Sequence, residues 1–375
     1  MKIMVLAPPM GAIGGIQNYT ATLVRALREI IGEKNVRMVA VPAEAAPSAD
    51  GNAALGRITK LRFLFRAVSS AIFFRPRLVL CAHVGISPVA RLIQRLTGTP
   101  YWVMLYGIDV WCELAPAKVE ALRAAEQLVA ISKFTLESAS ARHGLQRSKS
   151  VFLAPTFSID ESRSAENQPS TFASKQTPVV LTVGRLAASE RYKGHDVMLE
   201  AWPMVLREIP EARYIIVGDG DDRSRLENRA EEMGLSGSVT FKGGVSGAEL
   251  QSCYDDCRLF ALPARTELDS RAPRGEGFGI VFLEAMAHGK PVVGPNVGAP
   301  TEFIHDGEHG FLVDPVNPAK IAEALVELLA HPERARQMGE AGRTWVQREY
   351  RYEMFRERLR KILQAHSLGT HSLRE

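Results

Sequence analysis

Short apolar runs alternate with amphipathic stretches along the whole chain. The first half reads KIMVLAPP, the helical NYTATLVRALREI, VRMVAVP, a basic helix near 57–74, RLVLCAH, SPVARLIQRLTG, YWVMLYG and QLVAISK. Apolar runs of strand length bounded by turn residues predict buried strands, and 3.6-residue spacing predicts helices. A second series follows: PVVLTVGR, HDVMLEAWPMVLREI, ARYIIVGDG, SRLENRAEEMG, SVTFKGG, AELQSCYDDC, RLFALPA, the helix IVFLEAMAHG and the strand KPVVG. Helices near 318–331 and 333–347 come next, then a basic amphipathic helix near 350–366, with the tail after Leu363 read as frayed. The polar, aperiodic stretch 161–178 between the two series reads as a linker. Strands alternating with helices predict parallel sheets covered on both faces. The fold class is therefore α/β, with two Rossmann-like parallel-sheet domains at 1–165 and 175–349 facing a central cleft. Ligands of such sheets bind at the carboxyl ends of the strands, so the active site is expected between the domains.

The length of 375 residues suits two domains, and 46% hydrophobic with 23% charged residues is a globular composition. Charge sharpens the picture. Residues 1–160 carry 19 Lys/Arg against 10 Asp/Glu, and the remainder 27 against 32. No acidic residue lies between Asp50 and Asp109, a window holding Arg57, Lys60, Arg62, Arg66, Arg75, Arg77, Arg91 and Arg95. A face of this kind suits anionic lipid, a lipid-diphosphate acceptor or nucleic acid, and for any single residue a solvated basic helix is the plainer reading. An anionic membrane surface is the expected partner of the window, and nucleic acid is not. Cys81, Cys112, Cys253 and Cys257 lack CxxC spacing and read as free thiols in a reducing compartment. The start MKIMVLAPPM reads as a first buried strand rather than a signal peptide, and no apolar stretch is long enough for a bilayer span. The expected location is cytoplasmic, peripheral at the inner face of the membrane.

Three segments carry candidate chemistry. In PPMGAIGGIQNYT, Gly11, Gly14 and Gly15 precede a helix, so backbone amides can approach a phosphate. The spacing fits neither GxGxxG nor GxxxxGK[ST], which speaks against a dinucleotide-binding dehydrogenase or a P-loop NTPase. In LTVGRLAASERYKGHD, Arg185 and Lys193 lie beyond a strand end, where two cations can neutralise a departing diphosphate. In EGFGIVFLEAMAHGKPVVG, Gly277 and Gly279 precede a short helix with Gly289 as its left-handed C-terminal residue, and the helix start is a second phosphate seat. Glu276 and Glu284 flank that start, up to roughly 12 Å apart at about 1.5 Å per helical residue. Retaining glycosidases hold their carboxylates about 5–5.5 Å apart, so this pair suits the two sugars of one ligand with a diphosphate between them. Carboxylates hydrogen-bond vicinal hydroxyls well.

With these residues in place, the chain resembles the retaining GT-B glycosyltransferases of family 4. The matching pieces are GGIQNYT, ISKFT (131–135), VGRL and YKG (183–186 and 192–194), VGDG (217–220), FKGGV (241–245), LFALPAR (259–265), the Glu276/Glu284 block and GAPTEFI (298–304). The resemblance implies that Arg185 and Lys193 hold the donor diphosphate, with Gly184 and Gly218 in their loops. It implies that Glu276 contacts the donor hexose, that Phe278, Gly279 and Ile280 offer backbone groups, and that Glu284 binds ribose. Phe241 to Val245 would line the base pocket, Gly14 and Gly15 would face the diphosphate from the other domain, and the C-terminal helix would cross back onto the first domain. The family works without a bound metal or cofactor, on a nucleotide-sugar donor and a lipid-linked or oligosaccharide acceptor.

Where many members have histidine and glutamate, YGIDVW has Tyr106 and Asp109; with His83 these are the acceptor-side or sugar-side candidates. His195 and His288 read as structural. The insert TELDSRAPRG (266–275) before Glu276 is expected to fold on donor binding. The expectation is transfer of a hexose, with GDP-mannose or a UDP-hexose as donor, in cell-envelope or exopolysaccharide synthesis. The alternatives are a sugar-nucleotide epimerase of the same fold and a non-catalytic nucleotide-sugar-binding protein.

Overall fold

The computed structural model describes residues 1–11, 14–42, 56–157, 178–268 and 273–369. The linker read at 161–178 lies outside them except for Pro178. The chain divides into two compact units, Met1–Pro155 with Tyr352–Glu375, and Thr156–Arg351.

In the first unit the order is β1 (Ile3–Ala7), α1 (Gly15–Ile31), β2 (Val36–Ala40), α2 (Arg57–Phe74), β3 (Leu78–Cys81), α3 (Ser87–Thr97), β4 (Tyr101–Leu105), α4 (Ile108–Trp111), α5 (Pro116–Ala124), β5 (Gln127–Ala130), α6 (Lys133–His143) and β6 (Ser150–Phe152). The strands form one parallel sheet in the order β2-β1-β3-β4-β5-β6. Every residue of β1, β3 and β4 is buried, as strands covered on both faces require, and the N-terminal apolar run is indeed the first strand. Edge strand β6 has only three residues, none fully buried, and so leaves no pattern to read in the sequence.

The second unit continues with β7 (Val179–Val183), α7 (His195–Glu208), β8 (Arg213–Val217), α8 (Arg223–Glu232), β9 (Val239–Gly243), α9 (Gly247–Asp256), β10 (Leu259–Ala261), α10 (Ile280–Ala287), β11 (Val292–Pro295), β12 (Gly310–Val313), α11 (Pro318–Ala330) and α12 (Pro332–Glu349). Its parallel sheet runs β12-β11-β10-β7-β8-β9. The strand order turns back between β7 and β10, and a doubly wound sheet opens its ligand crevice at the carboxyl ends of such strands. Trp202, Tyr214 and Leu325 are fully buried in the core beneath.

The C-terminal helix α13 (Tyr352–Gly369) belongs to the first unit. Phe355 sets its ring edge-on to Tyr19 at 5.6 Å, and Arg356 pairs with Glu29 at 2.8 Å. Within the described residues the chain does not fray at Leu363, since the helix continues to Gly369, and residues 370–375 of the tail lie outside them. The reason is local, since His366 packs edge-on against Trp102 at 5.2 Å and its Nδ1 lies 3.1 Å from Glu126, the carboxylate that also accepts the Trp102 indole N–H. All four cysteines are free thiols, three of them buried.

Phe355 is 2% exposed and closes the core over Tyr19. Phe355→Ala is expected to destabilise the first unit by about 3–5 kcal/mol, the cost of an aromatic side chain removed from a packed core. Denaturant unfolding followed by probes in each unit checks this, because only the first unit's transition should move.

Candidate functional site

The carboxyl end of β7 runs into Gly184 and Arg185, and the 3-10 segment Ala188–Lys193 leads into α7. Backbone packing fixes this corner. The Gly184 amide donates to the Val217 carbonyl at 2.9 Å, and the Gly218 amide donates to the Gly243 carbonyl at 2.8 Å. Gly218 has φ 137°, and a Cβ there would stand 1.9 Å from the Gly184 carbonyl oxygen, so only glycine fits. Gly218 therefore shapes the loop by close approach. A Cβ on Gly184 would lie 3.6 Å from Lys193 Nζ and 3.9 Å from His195 Nε2, so strand end, amine and imidazole converge.

Sequence reasoning missed the group that holds the two cations. Glu190 accepts from Arg185 through one carboxylate oxygen, and its other oxygen lies 3.3 Å from Lys193 Nζ. The Glu190 and Lys193 side chains are 11% and 13% exposed, whereas Arg185 is 71% exposed. The available signal was the spacing of Glu190 and Lys193, an acid three residues before a base in the same short segment. His195 is 4% exposed, and its Nε2 finds no hydrogen-bond partner among the described residues. Burial, helped by the Lys193 charge, pushes its imidazole down to about 4, which keeps it neutral at pH 7. An Arg225 fork binds Asp196 at 2.8 Å through both nitrogens and also Asp222, tying the start of α7 to the loop after β8. Arg225, then Arg191, holds the Asp222 carboxyl at about 2 despite its burial.

Glu276, Phe278, Gly279 and Ile280 form the entry to α10. Gly279 adopts φ 94°, and a Cβ there would meet Phe282 at 2.7 Å and the Glu276 stem at 3.3 Å, so the Glu276 side chain folds over the helix start. The helix is entered at Gly279, which has no side chain to cap it, and the Phe282 amide donates to Gly279 O at 3.0 Å; a helix start of this kind presents backbone amides to an anion. Phe278 is buried and stacks on Phe303 at 4.8 Å, while Ile280 is half-buried. At the far end, Gly289 has φ 68°, its amide donates to Met286 O at 2.8 Å and the Lys290 amide donates to Ala285 O at 3.0 Å, the Schellman ending that the sequence predicted. Glu284 is half-buried and accepts the Tyr254 hydroxyl proton at 3.0 Å; burial raises its carboxyl above the ordinary range. Tyr254, itself stacked on His288 at 5.3 Å, is a second partner the sequence did not reveal. His288 in turn bonds Asp255 at 2.7 Å, a structural contact.

The two segments meet at Tyr192. Burial raises its phenol, and the charges of Glu276 and Glu190 raise it further against Arg185 and Arg274. The base of the 266–275 insert is clamped: Glu267 and Arg274 exchange backbone hydrogen bonds at 2.8 and 3.0 Å, and the Arg274 guanidinium donates to the Ser189 carbonyl. Residues 269–272 of the insert lie outside the described residues. Phe241 in the middle of β9 and Val245 two residues beyond its end are half-buried, with the Phe241 carbonyl accepting from Arg223 at 3.3 Å.

In the first unit Gly14 precedes α1 in extended conformation, and nothing lies within 4 Å of a Cβ built on Gly15. His83 follows β3, and its Nδ1 accepts the Gly85 amide proton at 2.9 Å. Burial, then the nearby Lys118 charge, pushes His83 down to about 4. Tyr106 is 7% exposed and packs edge-on to Tyr19 at 5.4 Å. Asp109 accepts the Tyr106 amide proton at 3.0 Å through Oδ1, while Oδ2 is buried without a hydrogen-bond partner among the described residues. Burial raises its carboxyl to about 7, with backbone amides and Lys118 opposing.

That shift has a sign. Between the unfolded value of 3.8 and the folded value of about 7, native Asp109 keeps a proton that the unfolded chain has released. Its contribution to stability is therefore full below pH 4 and falls as pH rises to 7. Asp109→Asn is expected to flatten this falling limb, measured as the thermal midpoint of the first unit from pH 4 to 8.

The comparisons agree with this architecture. The family model described as glycosyl transferases group 1 matches residues 164–345. A Corynebacterium glutamicum protein, a GDP-mannose-dependent monoacylated alpha-(1-6)-phosphatidylinositol monomannoside mannosyltransferase, is 32% identical over 69% of this chain and 68% of its own length. A Mycobacterium tuberculosis GDP-mannose-dependent alpha-(1-6)-phosphatidylinositol monomannoside mannosyltransferase is 36% identical over 50% of this chain; the chain spans about half of that relative, 48% of its length. Among solved structures, Anabaena Alr3699/HepE in complex with UDP-glucose shares the fold with a TM-score of 0.77 at 17% identity, over 97% of this chain and 100% of that one. With a parallel-sheet unit of this strand order, the matched segment and a relative aligned over more than two thirds of both chains, the protein belongs to the group 1 glycosyltransferases and has the GT-B fold.

Proposed function

We propose that this chain is a retaining hexosyltransferase, using GDP-mannose or a UDP-hexose and needing no metal for the transfer, that glycosylates a lipid-linked or glycan acceptor in cell-envelope or exopolysaccharide synthesis. The observation that carries the reading is the pair of cations Arg185 and Lys193 on Glu190, joined through Tyr192, which feels the charges of both Glu190 and Glu276, to the entry of α10. The names of the relatives and the UDP-glucose bound to the Anabaena protein support the donor class.

In this reading the diphosphate takes the place of the Glu190 carboxylate on Arg185, while Lys193 and the α10 amides complete its neutralisation. Glu276 grips the hexose and Glu284 the ribose. The bond from the anomeric carbon to the diphosphate oxygen breaks with its electron pair staying on the diphosphate. The acceptor hydroxyl bonds that carbon from the same face, and its proton passes to a donor phosphate oxygen. No side chain acts as nucleophile. His83, Tyr106 and Asp109 are assigned to acceptor or sugar contacts, and Gly14 and Gly15 to the diphosphate.

A membrane surface fits α2. Ile58, Leu61, Phe65, Ile72 and Phe73 are exposed on it, Phe65 at 75% and Phe73 at 82%, among Lys60, Arg62 and Arg66. Apolar side chains beside basic ones at the surface are the composition of an interfacial helix. No helix among the described residues is long and apolar enough to cross a membrane.

Nucleotide binding and turnover test the donor reading together. One of UDP, GDP or ADP should raise the thermal midpoint; a ligand at 100 times its dissociation constant adds about 2.7 kcal/mol. Lys193→Ala and Glu276→Ala are expected to lower hexose transfer to membrane acceptors by about 100-fold or more. Interconversion of free nucleotide sugars without acceptor would instead identify an epimerase, and turnover equal to both variants would leave a binding protein. For the surface, wild type should sediment with phosphatidylserine vesicles and not with phosphatidylcholine vesicles, and Phe65→Glu with Phe73→Glu should cut that binding at least about tenfold.

A further inference from the structure

The turn between the 3-10 segment Ala299–Glu302 and β12 holds His305, Glu308 and His309, none of which takes part in the donor site. Its backbone is fixed from within. The His309 amide donates to His305 O at 3.1 Å, the Gly307 amide donates to Gly310 O at 2.8 Å, and Asp306 accepts the Leu312 amide proton at 2.8 Å. Gly307, at φ 78°, provides the left-handed step that brings the two ends together.

Three side chains converge as a result. One donor atom from each of His305, Glu308 and His309 lies within 4.8 Å of the others. His305 Nδ1 is 3.3 Å from Glu308 Oε2. With metal–ligand bonds of about 2.0–2.1 Å, the edge of a tetrahedron is about 3.3–3.4 Å, so this pair already has the separation a metal needs. The two imidazole rings stack at 4.6 Å and both rest on Trp345, at 4.8 and 5.9 Å. His309 is 4% exposed, and its Nδ1 takes a long contact of 3.5 Å from the His305 amide.

Nearby cations are already engaged. Arg336 forks onto Glu333 at 3.1 and 2.8 Å, and Arg348 lies over the Trp345 ring at 4.9 Å and pairs with Glu349 at 3.0 Å. A surface pocket of about 630 Å³ opens over the cluster, giving a bound ion a route in and a place for water as a further ligand.

We propose that His305, Glu308 and His309 form a site for a divalent transition metal of the zinc class, with its remaining position open to solvent, that staples the turn entering β12. Two imidazoles with one carboxylate select such ions over magnesium or calcium, which prefer all-oxygen sites. The site is independent of the donor reading, because its ligands are none of Arg185, Lys193, Glu276 and Glu284.

The test is a titration of the chelator-stripped, untagged full chain with Co²⁺, followed by displacement with Zn²⁺. One equivalent of Co²⁺ should bind with the intense visible absorption of a four-coordinate ion, Zn²⁺ should abolish it, and Mg²⁺ at the same concentration should not. His305→Ala and His309→Ala should each weaken binding at least about tenfold. Glu308, whose side chain is 70% exposed, gives a variant that leaves the packing alone, and Glu308→Ala should weaken binding severalfold while circular dichroism stays unchanged. His331→Ala, at an exposed histidine outside the turn, should bind as wild type. No saturable Co²⁺ binding to the wild type, or binding that all three ligand variants retain, would overturn the proposal.

Discussion

The order of the second sheet turns back between β7 and β10, and the donor-side groups follow from that reversal. Parallel strands end together on one side, and where neighbouring connections leave in opposite directions the loops part and expose backbone. Beside that opening, Gly218 after β8 sits against the Gly184 carbonyl after β7, closer than any side chain would allow. The cost of that approach falls on glycine alone, and its consequence is a rigid corner from which Arg185 and Lys193 extend. The Arg225 bridge to Asp196 and Asp222 holds the same corner from the other side of the loop.

Much of the fold was legible because its signal is periodic. Strands buried on both faces, such as β1 and β4, are written as unbroken apolar runs, and α10 announces its end through Gly289. What failed to show was short or polar. Strand β6 has three residues and α4 has four, too few for any period, and the last turns of α13 look disordered until His366 finds Trp102 and Glu126. Those partners are more than 200 residues away in sequence, and nothing local records them.

The candidate site divides along the same line. Arg185, Lys193, Glu276 and Glu284 could be picked out because each stands at a glycine-marked turn or interrupts an apolar helix. Glu190 and Tyr254 could not, since an acid in a polar loop and a tyrosine in CYDDC have ordinary surroundings in sequence. Their importance is entirely one of placement: Glu190 lies between two cations, and Tyr254 donates to a carboxyl that burial would otherwise penalise. Tyr106 shows the converse. It stands out in the motif YGIDVW, yet the structure buries its ring on Tyr19, and both its hydroxyl and Asp109 Oδ2 lack a hydrogen-bond partner among the described residues.

Glu190 also resolves an electrostatic difficulty. Lys193 is only 13% exposed, and an ammonium group that far from water without a counter-charge would carry a large desolvation cost. The carboxylate removes most of that cost in the absence of any ligand. It does so unequally, since Arg185 reaches it from solvent on a long side chain, whereas Lys193 is held beside it in the same short segment. In the proposed reading, a diphosphate approaching the start of α10 competes with Glu190 mainly for the exposed guanidinium. Lys193 can keep its original partner while meeting the new anion, so ligand entry never passes through a state with a buried, unpaired charge.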